Sequence, residues 1–267
     1  MKISCTNTMV PGSTLTQKAE HLQDCGFAGI SVFEDISSWA PEKEEELLTL
    51  EARTGIKVCE FCFSGDVYGQ LMNSDASIAS RSKSIYIKTI EIGNKLGSVS
   101  EMEYQYAART PVPLLDPYLK MSEEENDRFV ALYSELAAMV KGDSYLLLEA
   151  INRYESPYLN NMEDNSKIIE QVNQSSAGLL FDTFHMAIEE VDMCATFKKY
   201  APNIKHVHLG DNNRLLPGNG NLPWVEIFAS MRDAGYNGFV NLECAILGDD
   251  ILPQLKRQAA FLKTLIE

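Results

Sequence analysis

Short apolar runs alternate with amphipathic segments along the whole chain. The apolar runs predict β-strands, at Lys2–Cys5, Gly29–Phe33, Ile56–Phe63, Ser98–Tyr104, Tyr145–Glu149, Ala177–Asp182, Ile204–His208 and Gly238–Glu243. The segments between them have apolar residues at helical spacing and predict helices, at Thr14–Gln23, Pro41–Thr54, Ser77–Leu96, Glu123–Val140, Asn165–Gln174, Val191–Tyr200, Trp224–Ala234 and Asp250–Ile266. Strands that are mostly apolar are typical of a parallel sheet covered on both faces.

Strands and helices that alternate in this way form either a closed barrel or an open doubly wound sheet. An open sheet that binds a nucleotide would carry GxGxxG or GxxxxGK[ST] after a strand, and the sequence contains neither motif. A length of 267 residues is typical of one barrel. We therefore predict an α/β fold: a single (β/α)8 TIM barrel of eight parallel strands, with residues 1–267 forming one domain.

Each of the last four predicted strands ends in a residue type that binds metal ions, namely Glu149, Asp182, His208 and Glu243. In a barrel, the carboxyl ends of the strands meet at one mouth, where active sites form. Each residue alone has an ordinary explanation, such as a solvated glutamate, a helix cap or a buried histidine. Together they predict a site for one divalent cation. Three carboxylates and one imidazole suit Mn²⁺, the expected ion, or Mg²⁺, Co²⁺ or Zn²⁺.

Further polar residues follow the sixth and seventh predicted strands. His185 lies three residues after Asp182, and His206 shares a strand face with His208. His206 would then lie deeper in the barrel, where hydrogen bonding is expected rather than metal binding. The loop Pro217–Asn221 contains two glycines and predicts a sharp turn, which is either a substrate cradle or a plain surface turn.

The net charge of −15 argues against nucleic acid and anionic membranes as partners. It does not exclude a phosphorylated substrate, because one arginine or a helix N-terminus can bind phosphate locally. The sequence has no apolar run of about 18 residues, so we expect no membrane span. The first ten residues do not resemble a signal peptide, and a cytoplasmic protein is expected.

Six cysteines are scattered along the chain, and Cys59 and Cys62 form a CxxC motif. Such a motif invites a redox or zinc interpretation. However, residues three apart on a strand point to opposite faces, and no second CxxC exists to complete a zinc site. Buried free thiols are therefore expected.

Four longer runs carry a resemblance to a known family: LEAINRYES (148–156), FDTFHMAIEE (181–190), HVHLGDNNRLLPGNGNLPW (206–224) and NLE (241–243). Through them the chain resembles the xylose-isomerase-like barrel superfamily of sugar phosphate isomerases and epimerases. Within it, the chain is most similar to the D-tagatose/D-psicose (allulose) 3-epimerase family. The resemblance covers roughly the C-terminal half, from Glu149 to Glu243.

The resemblance implies roles for seven residues. The four strand-end residues match the family's metal ligands, and Glu149 and Glu243 also match the pair that moves protons at the sugar C3. Three others match the residues that hold the O1–O3 end of a ketose: Glu155, His185 and Arg214. The implied function is a metal-dependent isomerase that inverts C3 of a ketose or ketose phosphate through an enediolate. An assembly of several copies is a further expectation, because related barrels often pair through their helices.

Other functions remain open. An aldose–ketose or hydroxypyruvate-type isomerase would use nearly the same metal site, and a lyase or dehydratase acting on a cyclic polyol begins with a similar proton abstraction. An endonuclease barrel would need more histidines than the four present and a less acidic chain. A non-catalytic sugar-binding barrel would be expected to lack one or more of the metal ligands.

The N-terminal half departs from the family pattern. The segment after the first strand, Thr6–Val10, lacks the aromatic residues that the family tends to carry there. The loop after the fourth strand, Gln105–Pro113, lacks the expected tryptophan. These segments would define the far end of the sugar, so substrate identity stays open.

Overall fold

Eight parallel strands close into a barrel in the order β1 to β8, and β1 pairs with β8. The computed structural model describes residues 1–106, 112, 115 and 117–267. The strands are β1 (Lys2–Thr6), β2 (Gly29–Asp35), β3 (Lys57–Ser64), β4 (Val99–Met102), β5 (Tyr145–Glu149), β6 (Ala177–Asp182), β7 (Ile204–Leu209) and β8 (Phe239–Leu242). The predicted (β/α)8 barrel is therefore confirmed.

The helices of the described residues surround this barrel. They are α1 (Leu15–Cys25), α2 (Pro41–Thr54), α3 (Ala76–Leu96), α4 (Glu123–Ala137), α5 (Met162–Val172), α6 (Thr183–Glu189), α7 (Met193–Tyr200), α8 (Trp224–Asp233) and α9 (Ile251–Ile266). Local sequence sets their limits. Ser122 and Glu125 form a capping box at the start of α4, and Gly55 adopts the left-handed conformation at the end of α2. Among the described helices, none is long and apolar enough to cross a membrane.

Most element boundaries agree with the sequence pattern to within two or three residues. The exception is α6, which the pattern does not predict: residues 183–189 form a separate helix before α7. This helix begins immediately after β6, because the Asp182 side chain caps it. Most of the Gln105–Pro113 loop, residues 107–111 and 113, lies outside the described residues.

Apolar side chains fill the space between strands and helices, while much of the barrel interior is polar. Ser4, Glu60, His206 and Asn241 are all almost completely buried. Alternate residues of a strand face opposite sides, so the strands can present apolar residues outward and polar residues inward. Because the interior of the barrel is polar, ionisable groups can lie beneath its mouth.

The CxxC cysteines are free and buried, as expected. Burial raises the pKa of the Cys59 thiol to about 12. A thiol in this state is a poor nucleophile and a poor metal ligand. The motif therefore has a packing role in β3.

Candidate metal site

The four strand-end residues meet at the carboxyl end of the barrel. One ligand atom from each of Glu149, Asp182, His208 and Glu243 lies within 4.8 Å of the other three. Parallel strands β5 to β8 deliver them from neighbouring positions around the wall, although almost a hundred residues separate the first from the last. The structure thus brings together all four predicted metal ligands.

Two buried atoms of this cluster have no hydrogen-bond partner among the described residues: Glu149 Oε1 and His208 Nδ1. They lie 3.8 Å apart. A buried polar atom without a partner is costly, and a divalent cation between the two would satisfy both. The donor set of oxygens and one imidazole nitrogen also fits such an ion. The residues present therefore fit a divalent cation.

Glu60 of β3 fixes the orientation of the His208 ring. Its Oε2 lies 3.0 Å from His208 Nε2 and 3.5 Å from His206 Nε2, deep inside the barrel. The Glu60 contact leaves Nδ1 facing the cluster, which is how a carboxylate orients a metal-binding histidine. Burial would raise the pKa of Glu60, but the charges of His208 and His206 hold it well below its usual range. His206 is buried against Glu60 and is not one of the four ligand candidates, but its Nε2 has no hydrogen-bond partner among the described residues, so its expected hydrogen-bonding role stays a prediction.

The two carboxylate oxygens of Asp182 have different partners, one in helix α6 and one in the cluster. Oδ1 accepts a hydrogen bond from the Phe184 N–H at 2.7 Å and so caps α6. Oδ2 faces the cluster, where the Arg214 guanidinium donates to it at 2.5 Å and to Glu243 Oε2 at 2.5 Å. One oxygen of Asp182 therefore caps α6 while the other faces the cluster, and the two contacts do not compete for the same atom.

The pKa values of the two glutamates of the cluster are shifted in opposite directions. Burial raises the pKa of Glu149 well above its usual value, and the nearby charge of Glu101 raises it further. Burial also acts on Glu243, but the charges of His208 and Arg214 outweigh it and lower its pKa to about 2. The difference arises because His208 Nδ1 lies 3.2 Å from Glu243 but 3.8 Å from Glu149, and because Arg214 also pairs with Glu243.

His185 and Glu155 share one organising residue, Asn152, that the sequence pattern does not single out. The Tyr154 N–H donates to Asn152 Oδ1 at 2.9 Å, which fixes the amide orientation. Asn152 Nδ2 then donates to His185 Nδ1 and to Glu155 Oε1, both at 2.7 Å. Because His185 Nδ1 accepts, the neutral ring carries its proton on Nε2. That atom lies 3.9 Å from Glu149 Oε1 and faces the cluster.

The loop after β7 is held by a single buried carboxylate, Asp211. This carboxylate accepts hydrogen bonds from the backbone N–H groups of Gly218 and Leu222 and from the Trp224 ring. These contacts favour a closed turn over a substrate cradle for Pro217–Asn221. Between β7 and this turn, Arg214 adopts a φ of 60°, which is uncommon for a residue with a side chain.

A cavity of about 170 Å³ lies against the cluster. The predicted site residues that line it are Glu149, Glu155, His185, Arg214 and Glu243. The remaining lining, which the sequence pattern does not predict, is Phe33, Tyr68, Glu101, Glu103, Tyr106 and Ile151. The sequence does offer a clue to Glu101 and Glu103: they are two residues apart in the predicted strand Ser98–Tyr104, and residues two apart share a strand face.

A family model described as xylose isomerase-like TIM barrel matches residues 19–265. A 101-residue segment, 38% of the chain, is 41% identical to a D-psicose 3-epimerase from Enterocloster bolteae. The matched segments cover only 34% to 44% of the length of this and two other D-psicose 3-epimerases. Over 267 residues, 99% of the chain and all of the relative, the sequence is 24% identical to a 3-dehydro-D-guloside 4-epimerase from Escherichia coli.

Solved structures share the fold. The D-psicose 3-epimerase from Clostridium cellulolyticum, solved with D-tagatose, superposes with a TM-score of 0.82 at 22% identity, covering all of both chains. At this identity the likeness concerns the fold. The family and the fold are thus both established, while the named activities belong to the relatives.

Proposed function

Since the chain belongs to the xylose isomerase-like TIM barrel family, we propose that it is a metal-dependent sugar epimerase that inverts C3 of a ketose or ketose phosphate. The observation that carries the proposal is the meeting of four ligand atoms within 4.8 Å at the base of a small cavity. At about 170 Å³ the cavity is smaller than the roughly 300–1,000 Å³ of drug-sized sites. A monosaccharide is a ligand of suitable size.

The four strand-end residues would hold one divalent cation, for which Mn²⁺ is our first choice. When bound, such an ion withdraws charge from the oxygens of a ketose and makes the adjacent carbon-bound proton more acidic. His185, Arg214 and Glu155 line the same cavity and have N–H donors or carboxylate acceptors for sugar hydroxyls. They would hold the O1–O3 end.

Glu149 and Glu243 are the proposed proton-transfer residues. Glu149 is the last residue of β5 and Glu243 follows β8, with β6 and β7 between them in the barrel wall, so we place their carboxyl groups on opposite sides of the bound sugar. Inversion at a carbon needs one group to remove the proton from one face and another to return a proton to the opposite face. Two carboxyl groups placed in this way meet that requirement, and the intermediate is an enediolate of the sugar.

An aldose–ketose isomerase is the second candidate, because its reaction would need the same four metal ligands and a group that accepts a proton. The two reactions differ in which carbon exchanges its hydrogen. Incubating the Mn²⁺-loaded protein in D₂O with free and phosphorylated ketoses and locating deuterium by NMR tests the proposal. Deuterium at C3 with a C3-inverted product is expected. Deuterium at C2 of an aldose product, or at C1 of the recovered ketose, would favour the isomerase, and no exchange with any ketose would contradict both.

A further inference from the structure

Helix α6 contacts the loop after β5 at two points, one helical turn apart. Asn152 of the loop contacts His185, and the next residue, Arg153, contacts Glu189. Residues four apart lie on the same face of a helix, so His185 and Glu189 both face this loop. The backbone N–H groups of Asn152 and Arg153 also donate to His185 Nδ1 at 3.3 Å and to Glu189 Oε1 at 2.7 Å. Two consecutive loop residues thus hold one face of α6.

Arg153 and Glu189 form an ion pair with two parallel hydrogen bonds. Arg153 Nε donates to Glu189 Oε1 at 2.9 Å, and Arg153 Nη2 donates to Glu189 Oε2 at 2.8 Å. The Glu189 side chain is completely buried, and that of Arg153 is 14% exposed. A planar guanidinium that binds both oxygens of a carboxylate fixes the orientation of each partner. The pair therefore sets the distance between the loop and the last turn of α6.

Tyr118, in the segment before α4, packs against the outer side of this pair. The Arg153 Cζ lies 4.3 Å from the centre of the Tyr118 ring, and Arg153 Nη2 donates to the Tyr118 hydroxyl at 2.7 Å. Stacking on an aromatic ring stabilises a guanidinium and limits its movement. Three segments of the chain thus meet at Arg153: the one before α4, the one after β5 and the end of α6.

The position of His185 depends on how α6 is held. This helix has only seven residues, too few to be stable without contacts to the rest of the fold. Asp182 caps its start, and Glu189 holds its last residue. His185 lies between these two points, with its Nε2 3.9 Å from Glu149 Oε1 and 3.9 Å from Asp182 Oδ2. A shift of the end of α6 would therefore move His185 relative to the metal cluster.

We propose that Arg153 and Glu189 are positioning residues for the reaction, and that their ion pair fixes His185 and Glu155 relative to the metal cluster. His185 and Glu155 line the cavity, whereas the described lining does not include Arg153 or Glu189. The pair therefore acts through other side chains. A misplacement of about 1 Å can lower a rate on the order of 100-fold, so a pair outside the cavity can affect turnover. The inference rests on the proposed epimerase function.

Glu189→Gln tests the proposal because it removes the charge and keeps the size of the side chain. Protein saturated with Mn²⁺ is assayed on D-psicose, D-fructose and D-tagatose. We expect kcat/KM for the best ketose to fall about tenfold or more. KM should rise, because His185 and Glu155 would contact the sugar. The Mn²⁺ affinity, measured by calorimetric titration, should stay at the wild-type value, since none of the four ligand candidates is changed.

Glu190→Gln is the matched control, because Glu190 is the adjacent acidic residue and has different partners. Its carboxylate accepts hydrogen bonds from the Met162 N–H and from the Thr196 hydroxyl, both at 2.9 Å. These contacts join the end of α6 to α5 and α7 and do not involve the loop after β5. This variant should lower the thermal unfolding midpoint and leave kcat/KM unchanged. An equal loss of kcat/KM in Glu189→Gln and Glu190→Gln would contradict the proposal.

A double variant separates positioning from stability. Glu189→Gln leaves the charge of Arg153 without its buried partner, which is destabilising. Arg153→Met combined with Glu189→Gln removes both charges, and the glutamine keeps an acceptor for the N–H of residue 153. The double variant should regain part of the unfolding midpoint that the single variant loses, while kcat/KM stays low. Recovery of both quantities together would show that the pair only stabilises the fold.

The wild-type protein distinguishes the failure of this inference from that of the proposed function. Turnover by the wild type with unchanged kcat/KM and KM in Glu189→Gln would contradict the positioning role and leave the epimerase proposal intact. Wild-type protein that converts none of the ketoses would contradict the proposed function and this inference together.

Discussion

The two halves of the barrel contribute different chemistry to one cavity. Strands β5 to β8 each carry a residue that can bind a cation at or next to the carboxyl end, and one ligand atom from each of the four lies within 4.8 Å of the others. Strands β2 and β4 supply Phe33 and Glu101 to the lining, Glu103 follows β4, and Glu60 of β3 lies beneath the cluster. Under the proposed function, the first half would contact the sugar and support the cluster, while the second half would carry the reacting groups. One half can therefore change substrate choice without rebuilding the other.

The largest expected effect lies in the C-terminal half. Replacing Glu149 or Glu243 with Gln removes a proton-transfer group while preserving shape, so kcat should fall about 10²–10⁴-fold. Circular dichroism and the unfolding midpoint should stay close to wild type, and the exposed Glu226→Gln is the matched control. A double Gln variant with full activity would end the proposed mechanism.

Glu60 tests whether the two halves are separate in function, because it lies in the N-terminal half but contacts His208 of the C-terminal half. Glu60→Gln should weaken Mn²⁺ affinity about 10–100-fold, because the His208 ring loses the carboxylate that orients it. Calorimetric titration with Mn²⁺ measures this directly. The control is Glu91→Gln at an exposed position of α3. Unchanged affinity would mean that the two halves are more independent than the contact indicates.

Asn152 allows sugar positioning to be separated from metal binding within the C-terminal half. Asn152→Ala removes the hydrogen bonds that hold His185 and Glu155, so kcat/KM for the best ketose should fall about tenfold through lost orientation. The Mn²⁺ affinity should change little, since Asn152 is not among the ligands. The part-exposed Asn126→Ala on α4 serves as the control. A loss confined to Mn²⁺ affinity would contradict the assigned role.

The smallest expected effect is on stability. Burial raises the pKa of Glu103 to about 7, above its unfolded value, so the folded state holds this proton more tightly. Stability from this group is present at low pH and is lost as the pH rises through about 7. The free energy of unfolding of Glu103→Gln relative to wild type should therefore increase from pH 5 to pH 8, on the order of 1 kcal/mol. Urea unfolding at fixed Mn²⁺ measures it, and a decrease would refute the assignment.

The sequence was sufficient to predict that these four residues cluster, because each ends a predicted apolar strand, a position that can be read directly from the chain. Glu60 could not be found in this way. It lies inside the apolar run of β3, and its partners His206 and His208 belong to β7, across the barrel. Contacts across a barrel depend on closure and register, which periodicity does not specify.

The pair formed by Glu101 and Glu103 was only partly predictable. The spacing of Glu101 and Glu103 indicates a shared strand face, but not whether that face points inward or outward. Tyr68 comes from the loop after β3, and only the packing of that loop brings its hydroxyl to both carboxyl groups. Helix α6 was missed for a similar reason: its short sequence has a weak period, and the cap from Asp182 defines its start.

The shared carboxylate of Asp182 has a consequence for what this position can tolerate. Because Oδ1 is anchored to the first turn of α6, the other oxygen is held in place before any cation arrives, and little side-chain freedom is lost on binding. Asparagine could keep the anchor only by turning an NH₂ toward Arg214 and the ion, and glutamate is one methylene too long to do both. Helix capping and the proposed ion binding therefore favour the same amino acid, so protein engineers should vary the neighbouring strands and leave this residue fixed.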